Sequence, residues 1–183
     1  MIAIIGAMDE EVAEIIHLCE NLSDVYIHGI KFSQGKMNKQ DVLVFQSGIG
    51  LTNAAIRLTC ALDHFPIKTI VNIGTAGGLA EQVQVLDVII STKIAYHEFD
   101  ITLFGNPRGF MDENRFMYKA DENLIQLANT IIHDRVLVGP MVSGNQFISN
   151  VNQIESIEHF YPQALCADME AASIANVADF FKK

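Results

Sequence analysis

The sequence contains no tryptophan, only four prolines and three cysteines, and few cations, since 12 Lys and Arg residues stand against 22 Asp and Glu residues. The net charge of -10 argues against a nucleic-acid partner, because an acidic surface repels a phosphate backbone. Cys19, Cys60 and Cys166 are far apart and odd in number. Neither a zinc site nor a disulfide framework is therefore predicted, and a reducing, cytoplasmic setting fits.

Long hydrophobic runs are also missing. No stretch approaches the roughly 18 apolar residues of a membrane span, and the start MIAIIGAMDEE lacks the basic region of a signal peptide. We therefore expect no membrane partner. The chain does have 183 residues, half of them hydrophobic. That length and composition predict one compact domain, 1–183, with a sizeable core.

Apolar runs that alternate with helical patterns predict an α/β fold with a mixed, mostly parallel central sheet flanked by helices. The predicted strands are Ile2–Ala7, Val25–Gln34, Asp41–Ser47, Thr69–Ile73, Asp87–Ser91, Val136–Val142 and a short Leu165–Asp168. The predicted helices are Asp9–Leu22, Leu51–His64, Asp121–His133, Val151–Phe160 and one in the closing stretch ADMEAASIANVADFFKK. The polar turn GKMNKQ predicts a hairpin, and residues 98–118 look irregular.

A carboxylate follows the first predicted strand. Val12, Ile15 and Cys19 recur at helical spacing, and Glu11 lies at the edge of that apolar stripe. Ligands in α/β folds bind beyond the carboxyl ends of parallel strands, so an inward-facing Glu11 is a candidate general base. The alternative is that the acids of this first turn only stabilise the positive end of the helix dipole.

Three more stretches are candidates for binding a ligand. The glycines of IGTAGG, among them Gly77, follow an apolar strand and would let a ligand approach the backbone closely. In SGNQFI, Phe147 could stack on a base and the backbone of Ile148 could read its edge. Glu170 could accept hydrogen bonds from the two adjacent hydroxyls of a ribose. Each stretch also has a purely structural explanation: a tight turn, a loop folded onto the core, and a helix-capping acid.

The stretch YHEFDIT carries His97, Glu98 and Asp100. Their spacing fits no strong metal-ligand pattern, so we expect structural hydrogen bonds from them and no bound metal.

Six stretches in this order resemble one family. They are IIGAMDEEV, QSGIG, NIGTAGGLAEQVQVLDVIIS, YHEFDIT, VSGNQFI and ADMEAASIA. They are similar to those of the 5′-methylthioadenosine/S-adenosylhomocysteine nucleosidases of the purine nucleoside phosphorylase superfamily, and the resemblance runs from Met1 to Lys183. It implies hydrolysis of the N-glycosidic bond of these two nucleosides with release of adenine, no cofactor, and a homodimer.

The resemblance also implies roles for single residues. Glu11 matches the carboxylate that activates the attacking water, and Glu170, beside the backbone of Met169, matches the one that binds the ribose hydroxyls. Phe147 matches the residue that stacks on adenine, and Ile148 the one whose backbone reads the adenine edge. The other matches are the pocket wall Thr75, Ala76 and Gly77, the apolar contact Ile49 for the 5′-thio group, and Phe104, which reaches into the partner's site.

Some positions depart from the family pattern. Thr75 stands where the family more often has serine, Asn145 where it commonly has aspartate, and Phe99 where it has alanine. In the family, the helix with the Glu170 carboxylate is followed by a strand, an SD dipeptide whose aspartate protonates adenine N7, and a last helix. Residues 1–183 contain none of these parts, so we expect a C-terminally incomplete domain.

Three explanations stay open at this stage: a fragment, a premature stop, or a reorganised chain. The alternatives to nucleosidase activity are a non-catalytic adenine-nucleoside binder, an aminodeoxyfutalosine nucleosidase, and a related nucleoside phosphorylase. The acidic start MDEEV disfavours the phosphorylase, because that enzyme needs cations at its phosphate site.

Overall fold

A computed structural model describes residues 1–111, 116–132 and 135–183. The strands are β1 (Ile2–Gly6), β2 (Glu20–Ile27), β3 (Ile30–Met37), β4 (Gln40–Gln46), β5 (Thr69–Asn72), β6 (Gly77–Gly78), β7 (Val88–Tyr96), β8 (Tyr118–Lys119), β9 (Val136–Ser143) and β10 (Cys166–Asp168). The helices are α1 (Asp9–His17), α2 (Leu51–His64), α3 (Glu122–Ile131), α4 (Val151–Phe160) and α5 (Ala171–Phe180), with a 3-10 turn at Thr102–Phe104. Among these residues, no helix is both long and apolar enough to cross a membrane.

The predicted α/β class, with mixed sheets and flanking helices, is confirmed. The strands form two five-stranded sheets, with the orders β2-β3-β4-β1-β5 and β6-β10-β9-β7-β8. Parallel pairs join β4, β1 and β5 in the first sheet and β10, β9 and β7 in the second. The contacts divide the chain into two compact units, Met1–Thr75 with Asn176–Lys183, and Ala76–Ala175. The single domain 1–183 stays a prediction.

In the first unit, β1 lies between β4 and β5 and is parallel to both. Ile5 is opposite Phe45 on one side and Asn72 on the other. The register therefore brings the carboxyl ends of these three strands to the same edge of the sheet. Val12 of α1 packs on Val42 and Val44 of β4, which fixes the start of the helix beside that edge.

The predicted helix Asp9–Leu22 is too long. Helix α1 ends at His17, and the chain from Glu20 joins an antiparallel ladder with β3. Gly35 makes this close approach possible, because a Cβ there would lie 3.0 Å from the Glu20 carbonyl oxygen. Strand pairing thus overrides a helical periodicity that extends to Leu22 in the sequence.

The predicted strand Val25–Gln34 is two strands. His28 and Gly29 have φ angles of 51° and 78°, which is the two-residue turn typical of a hairpin. A second such turn at Asn38 and Lys39, with φ angles of 47° and 68°, falls inside the predicted turn GKMNKQ. The observed unit is a three-stranded meander in place of a single hairpin.

In the second unit, the parallel strands β7, β9 and β10 also end together, because Ser143 is opposite both Tyr96 and Asp168. Helices α2 and α4 have the predicted limits. Helix α3 begins one residue later than predicted because Asp121 caps it, accepting hydrogen bonds from the Asn123 and Leu124 N–H groups. It ends at Ile131, where the backbone of Ile132 becomes extended. The predicted last residue of that helix, His133, lies outside the described residues.

Candidate active site

Glu11 lies in the first turn of α1, beside the carboxyl ends of β1 and β5. Its Oε2 atom accepts hydrogen bonds from the backbone N–H groups of Ala7, at 2.6 Å, and Met8, at 3.2 Å. Its Oε1 atom accepts from the Thr75 N–H at 2.9 Å and from the Thr75 hydroxyl at 3.2 Å. Donors on both sides therefore fix the carboxylate at this edge of the sheet.

Two glycines provide the space for this side chain. A Cβ at Gly74 would lie 2.8 Å from Oε1 of Glu11, and a Cβ at Gly6 would lie 2.9 Å from the Cβ of Glu11. Both distances are shorter than real Cβ contacts. Gly6 and Gly74 are thus part of the geometry of the carboxylate, a role that no pattern in the sequence predicts for either glycine.

Two other side chains of the first unit lie near the carboxyl end of β4. Asp9 accepts a hydrogen bond from the amide of Gln46, the last residue of β4. Ile49 follows β4 in a short loop, and its side chain is 56% exposed. The structure therefore brings Glu11 and Thr75 into contact, and it places Ile49 in the loop that leads into α2.

In the second unit, β10 leads directly into the Met169–Glu170 pair. Ser143 donates a hydrogen bond to the Asp168 carboxylate, and its hydroxyl oxygen accepts one from the Ala172 N–H at 2.8 Å. The other oxygen of Asp168 accepts from the Ala171 N–H at 3.0 Å. These two side chains cap the start of α5.

Glu170 is 9% exposed and immediately precedes α5. Its carbonyl oxygen accepts from the Ser173 and Ile174 N–H groups, so its backbone is already part of the first helical turn. Met169 is half-buried, and Ala167, two residues earlier, pairs with Gly77 of β6. A Cβ at Gly77 would meet only the Ala167 carbonyl oxygen, at 3.9 Å. The predicted wall at Gly77 and the Glu170 carboxylate thus belong to one corner of this sheet.

The loop after β9 carries the two predicted base-binding residues. Phe147 is 79% exposed, whereas Ile148 packs against the core cluster that contains Ala95, Val142 and Ile157. Phe104 ends the 3-10 turn with 78% of its surface exposed. Ala76, the first residue of the second unit, is also exposed.

Glu98 and Asp100 of the stretch YHEFDIT make the structural hydrogen bonds predicted for them. Glu98 accepts from the Asn145 N–H at 2.6 Å, and Asp100 accepts from Thr102 and from Arg108. The hydrogen bond from the Thr102 hydroxyl, above all, lowers the pKa of Asp100. In the part of the chain that the structure describes, no group of three or more His, Cys, Asp or Glu side chains could hold a metal ion.

His97 is the least satisfied polar residue in this region. Its side chain is buried, and its Nε2 atom has no hydrogen-bond partner among the described residues. Burial lowers the pKa of His97, and the nearby Glu98 carboxylate opposes this effect. The ring lies against Gly144, where a Cβ would overlap it.

The profile of the phosphorylase superfamily matches residues 1–183. The chain is 38% identical to the 5′-methylthioadenosine/S-adenosylhomocysteine nucleosidase of Staphylococcus haemolyticus, over 99% of this chain and 81% of that protein. Its structure is similar to that of the Streptococcus pneumoniae MTA/SAH nucleosidase in complex with 8-aminoadenine, with a TM-score of 0.95, 30% identity and coverage of 99% and 80% of the two chains. A Neisseria meningitidis nucleosidase in complex with methylthio-immucillin-A gives the same TM-score and identity, with coverage of 100% and 80%. The chain therefore belongs to the 5′-methylthioadenosine/S-adenosylhomocysteine nucleosidases of the phosphorylase superfamily, a family of N-ribosyl hydrolases.

Proposed function

We propose that this chain provides the nucleoside site of an enzyme that hydrolyses the N-glycosidic bond of 5′-methylthioadenosine and S-adenosylhomocysteine and releases adenine. The observation that carries the proposal is the Glu11 carboxylate, held at the carboxyl ends of two parallel strands by the Ala7, Met8 and Thr75 donors. A carboxylate fixed in this way is suited to orient one water molecule and to accept its proton.

The hydrogen bonds of Glu11 indicate where that water would bind. A carboxylate offers about four acceptor positions, and the four donors described above use all of them. The Thr75 hydroxyl makes one of the two longest bonds, at 3.2 Å, and it can rotate away without moving the backbone. We propose that the attacking water takes its place on Oε1, while the Thr75 N–H keeps the carboxylate in position.

The second unit supplies the binding groups of the proposal. Glu170 would accept hydrogen bonds from the ribose 2′ and 3′ hydroxyls, and Phe147 would stack on adenine while the Ile148 backbone reads its edge. The nearly complete burial of Glu170 supports its role, because hydrogen bonds to a carboxylate are stronger where water is excluded. The remaining lining of the proposed site consists of Ile49 at the 5′-thio group, the wall Thr75, Ala76 and Gly77, and the backbone of Met169.

We also propose that the active form is a homodimer in which Phe104 completes the partner's site. Leu103 and Phe104 are 91% and 78% exposed, which is unusual for two neighbouring large apolar side chains. Light scattering of the purified protein measures the mass in solution. A Phe104→Ala variant that keeps the dimer and raises KM would support the role, and a monomeric active protein would contradict it.

The family resemblance assigns protonation of the leaving adenine to an aspartate that follows the strand after the Glu170 helix. No SD dipeptide follows α5 within residues 1–183. General acid catalysis contributes roughly 10²–10⁴-fold in rate. The test compares two polypeptides: one that ends at Lys183, and the same chain extended by the corresponding segment of the Staphylococcus haemolyticus relative. We therefore expect the rate of adenine release to be lower by that factor in the shorter one.

The experiment is the release of adenine from 5′-methylthioadenosine by the purified protein, after its intact mass has been confirmed. In H₂¹⁸O, hydrolysis places the label on the released sugar, whereas a phosphorylase needs added phosphate and leaves the sugar unlabelled. Binding of methylthio-immucillin-A without turnover in either polypeptide would favour the non-catalytic binder. Release of the base from aminodeoxyfutalosine in preference to 5′-methylthioadenosine would favour that alternative substrate. The absence of both binding and turnover would refute the proposal.

A further inference from the structure

The loop that carries Phe147 and Ile148, Gly144–Asn150, is held at both ends by side chains from other elements. At its start, the Glu98 carboxylate accepts a hydrogen bond from the Asn145 N–H at 2.6 Å. At its end, Oε1 of Gln153, on α4, accepts one from the Ser149 N–H at 2.9 Å. The Gly144 N–H donates to the Asp168 carbonyl oxygen, at 3.2 Å. The N–H groups of Asn145 and Ser149 thus depend on two side-chain acceptors, and the charged one forms the stronger kind of hydrogen bond.

One side of this loop faces a cavity, so packing contacts do little to hold the loop on that side. Glu98, Gln146, Gln153 and Ile148 all line a cavity of about 600 Å³. Gln153 reaches into the loop a second time, because its Nε2 atom donates to Oε1 of Gln146 at 3.2 Å. Ile148 is the loop residue that joins the apolar core cluster. The conformation of the loop therefore depends mainly on these hydrogen bonds.

We propose that Glu98 and Gln153 are positioning residues for adenine binding: they hold the loop in the conformation that presents Phe147 and the Ile148 backbone to the base. The inference rests on the proposed function, which assigns adenine to Phe147. When an anchor is removed, the loop populates the competent conformation for only a fraction of the time. The apparent Kd then rises by the inverse of that fraction, although no group that touches adenine has changed.

The absence of tryptophan makes a direct experiment possible. In a Phe147→Trp protein, the indole at position 147 is the only tryptophan, and stacking of adenine on it quenches its fluorescence. In this background we would compare Glu98→Ala, Glu98→Gln and Gln153→Ala with a matched control, Glu155→Ala. Glu155 is exposed on the same helix as Gln153, and its side chain is outside the loop hydrogen bonds.

We expect Glu98→Ala and Gln153→Ala each to raise the Kd for adenine by about tenfold or more, which corresponds to the loss of one hydrogen bond to a buried or charged acceptor. Glu98→Gln should restore most of the affinity, because its amide oxygen can still accept from Asn145. Glu155→Ala should leave the Kd unchanged. The fluorescence anisotropy of the indole should fall in the two alanine variants before adenine is added, and calorimetry with Phe147 in place should give the same Kd ratios.

The outcomes distinguish a failure of the positioning role from a failure of the proposed function. If adenine quenches the indole but all variants bind as Glu155→Ala does, the positioning role is wrong and the adenine site stands. If adenine neither quenches the indole nor binds in calorimetry with Phe147 in place, the proposed function is wrong and the positioning role fails with it. The positioning role is also wrong if Glu98→Gln binds adenine as weakly as Glu98→Ala does and both variants have a lower melting temperature.

Discussion

Replacing Gly74 with alanine tests whether the space left by this glycine sets the position of the Glu11 carboxylate. The new Cβ would lie 2.8 Å from Oε1 and 3.1 Å from Oε2 of Glu11. The φ angle of Gly74 lies outside the left-handed region, so alanine strains the neighbour and not the backbone. The carboxylate, at the end of a flexible side chain, must therefore move away from Thr75.

The expected cost follows from the bonds that are lost. Glu11 gives up two hydrogen bonds to Thr75, at 2.9 and 3.2 Å, but regains some contact with water because its side chain is only half-buried. We expect a loss of about 1.5–3 kcal/mol, since one bond to a charged group contributes that much. Alanine recovers about 0.4–1 kcal/mol by restricting the unfolded chain. The free energy of unfolding should therefore fall by about 1–2 kcal/mol.

A double-mutant cycle identifies the cause. In a Glu11→Ala background the carboxylate is gone, so Gly74→Ala should be neutral or stabilising by up to about 1 kcal/mol. Urea unfolding of the four proteins measures both values. Gly77→Ala is the matched control, because its Cβ meets only the Ala167 carbonyl oxygen at 3.9 Å. An equal effect of Gly74→Ala in both backgrounds would refute the reasoning.

Three other predictions concern the proposed site and its surroundings. Glu11→Gln should abolish turnover in any active form and spare binding of methylthio-immucillin-A, and retained turnover would remove Glu11 as the base. Glu170→Ala should weaken binding of ribonucleosides by about tenfold to a hundredfold but leave 2′,3′-dideoxy analogues unaffected, and the ribose role is wrong if wild type binds both kinds equally. Burial lowers the pKa of His97 from 6.5, so below that pH the unfolded chain binds more protons than the folded chain. The free energy of unfolding should then fall on acidification, and the urea midpoints at about pH 8 and about pH 5.5 should differ less in His97→Gln.

The elements that local signals define were predictable from the sequence. Helix α4 has a capping residue, Asn150, whose side chain accepts from the Gln153 N–H, and a periodicity that ends where the helix ends. Helix α2 is also delimited by its own sequence, from the glycine before Leu51 to the extended Phe65 after it. The start of strand β2 was assigned to a helix because its pairing with β3 is a tertiary interaction, and the periodicity of α1 continues into it.

Less of the candidate site than of the helices was predictable from the sequence. The position of Glu11 at a strand end followed from its place after β1 and beside an apolar stripe. Its contact with Thr75, 64 residues away, depends on the register of β1 against β5, which no local pattern contains. The anchors Glu98 and Gln153 were not assigned to the loop of Phe147 for the same reason: a hydrogen bond between separate loops leaves no periodic signal.

In both units, a glycine at the carboxyl end of a parallel strand explains how a neighbouring side chain fits beside that strand end. Gly74 makes room for Glu11, and Gly144 makes room for His97, and neither has a positive φ angle. Their function is to leave volume free for a side chain from the neighbouring strand end. Gly48 differs, because its φ angle is 70° and any side chain there strains the backbone. A Cβ at Gly144 would meet the His97 ring and also lie 2.7 Å from the Cγ of Glu98. Truncating both neighbours, with His97→Ala and Glu98→Ala, should therefore relieve Gly144→Ala, and His97→Ala alone should relieve it in part, whereas no truncation should relieve Gly48→Ala. Urea midpoints of these variants, alone and combined, decide between volume and backbone conformation as the reason for each glycine.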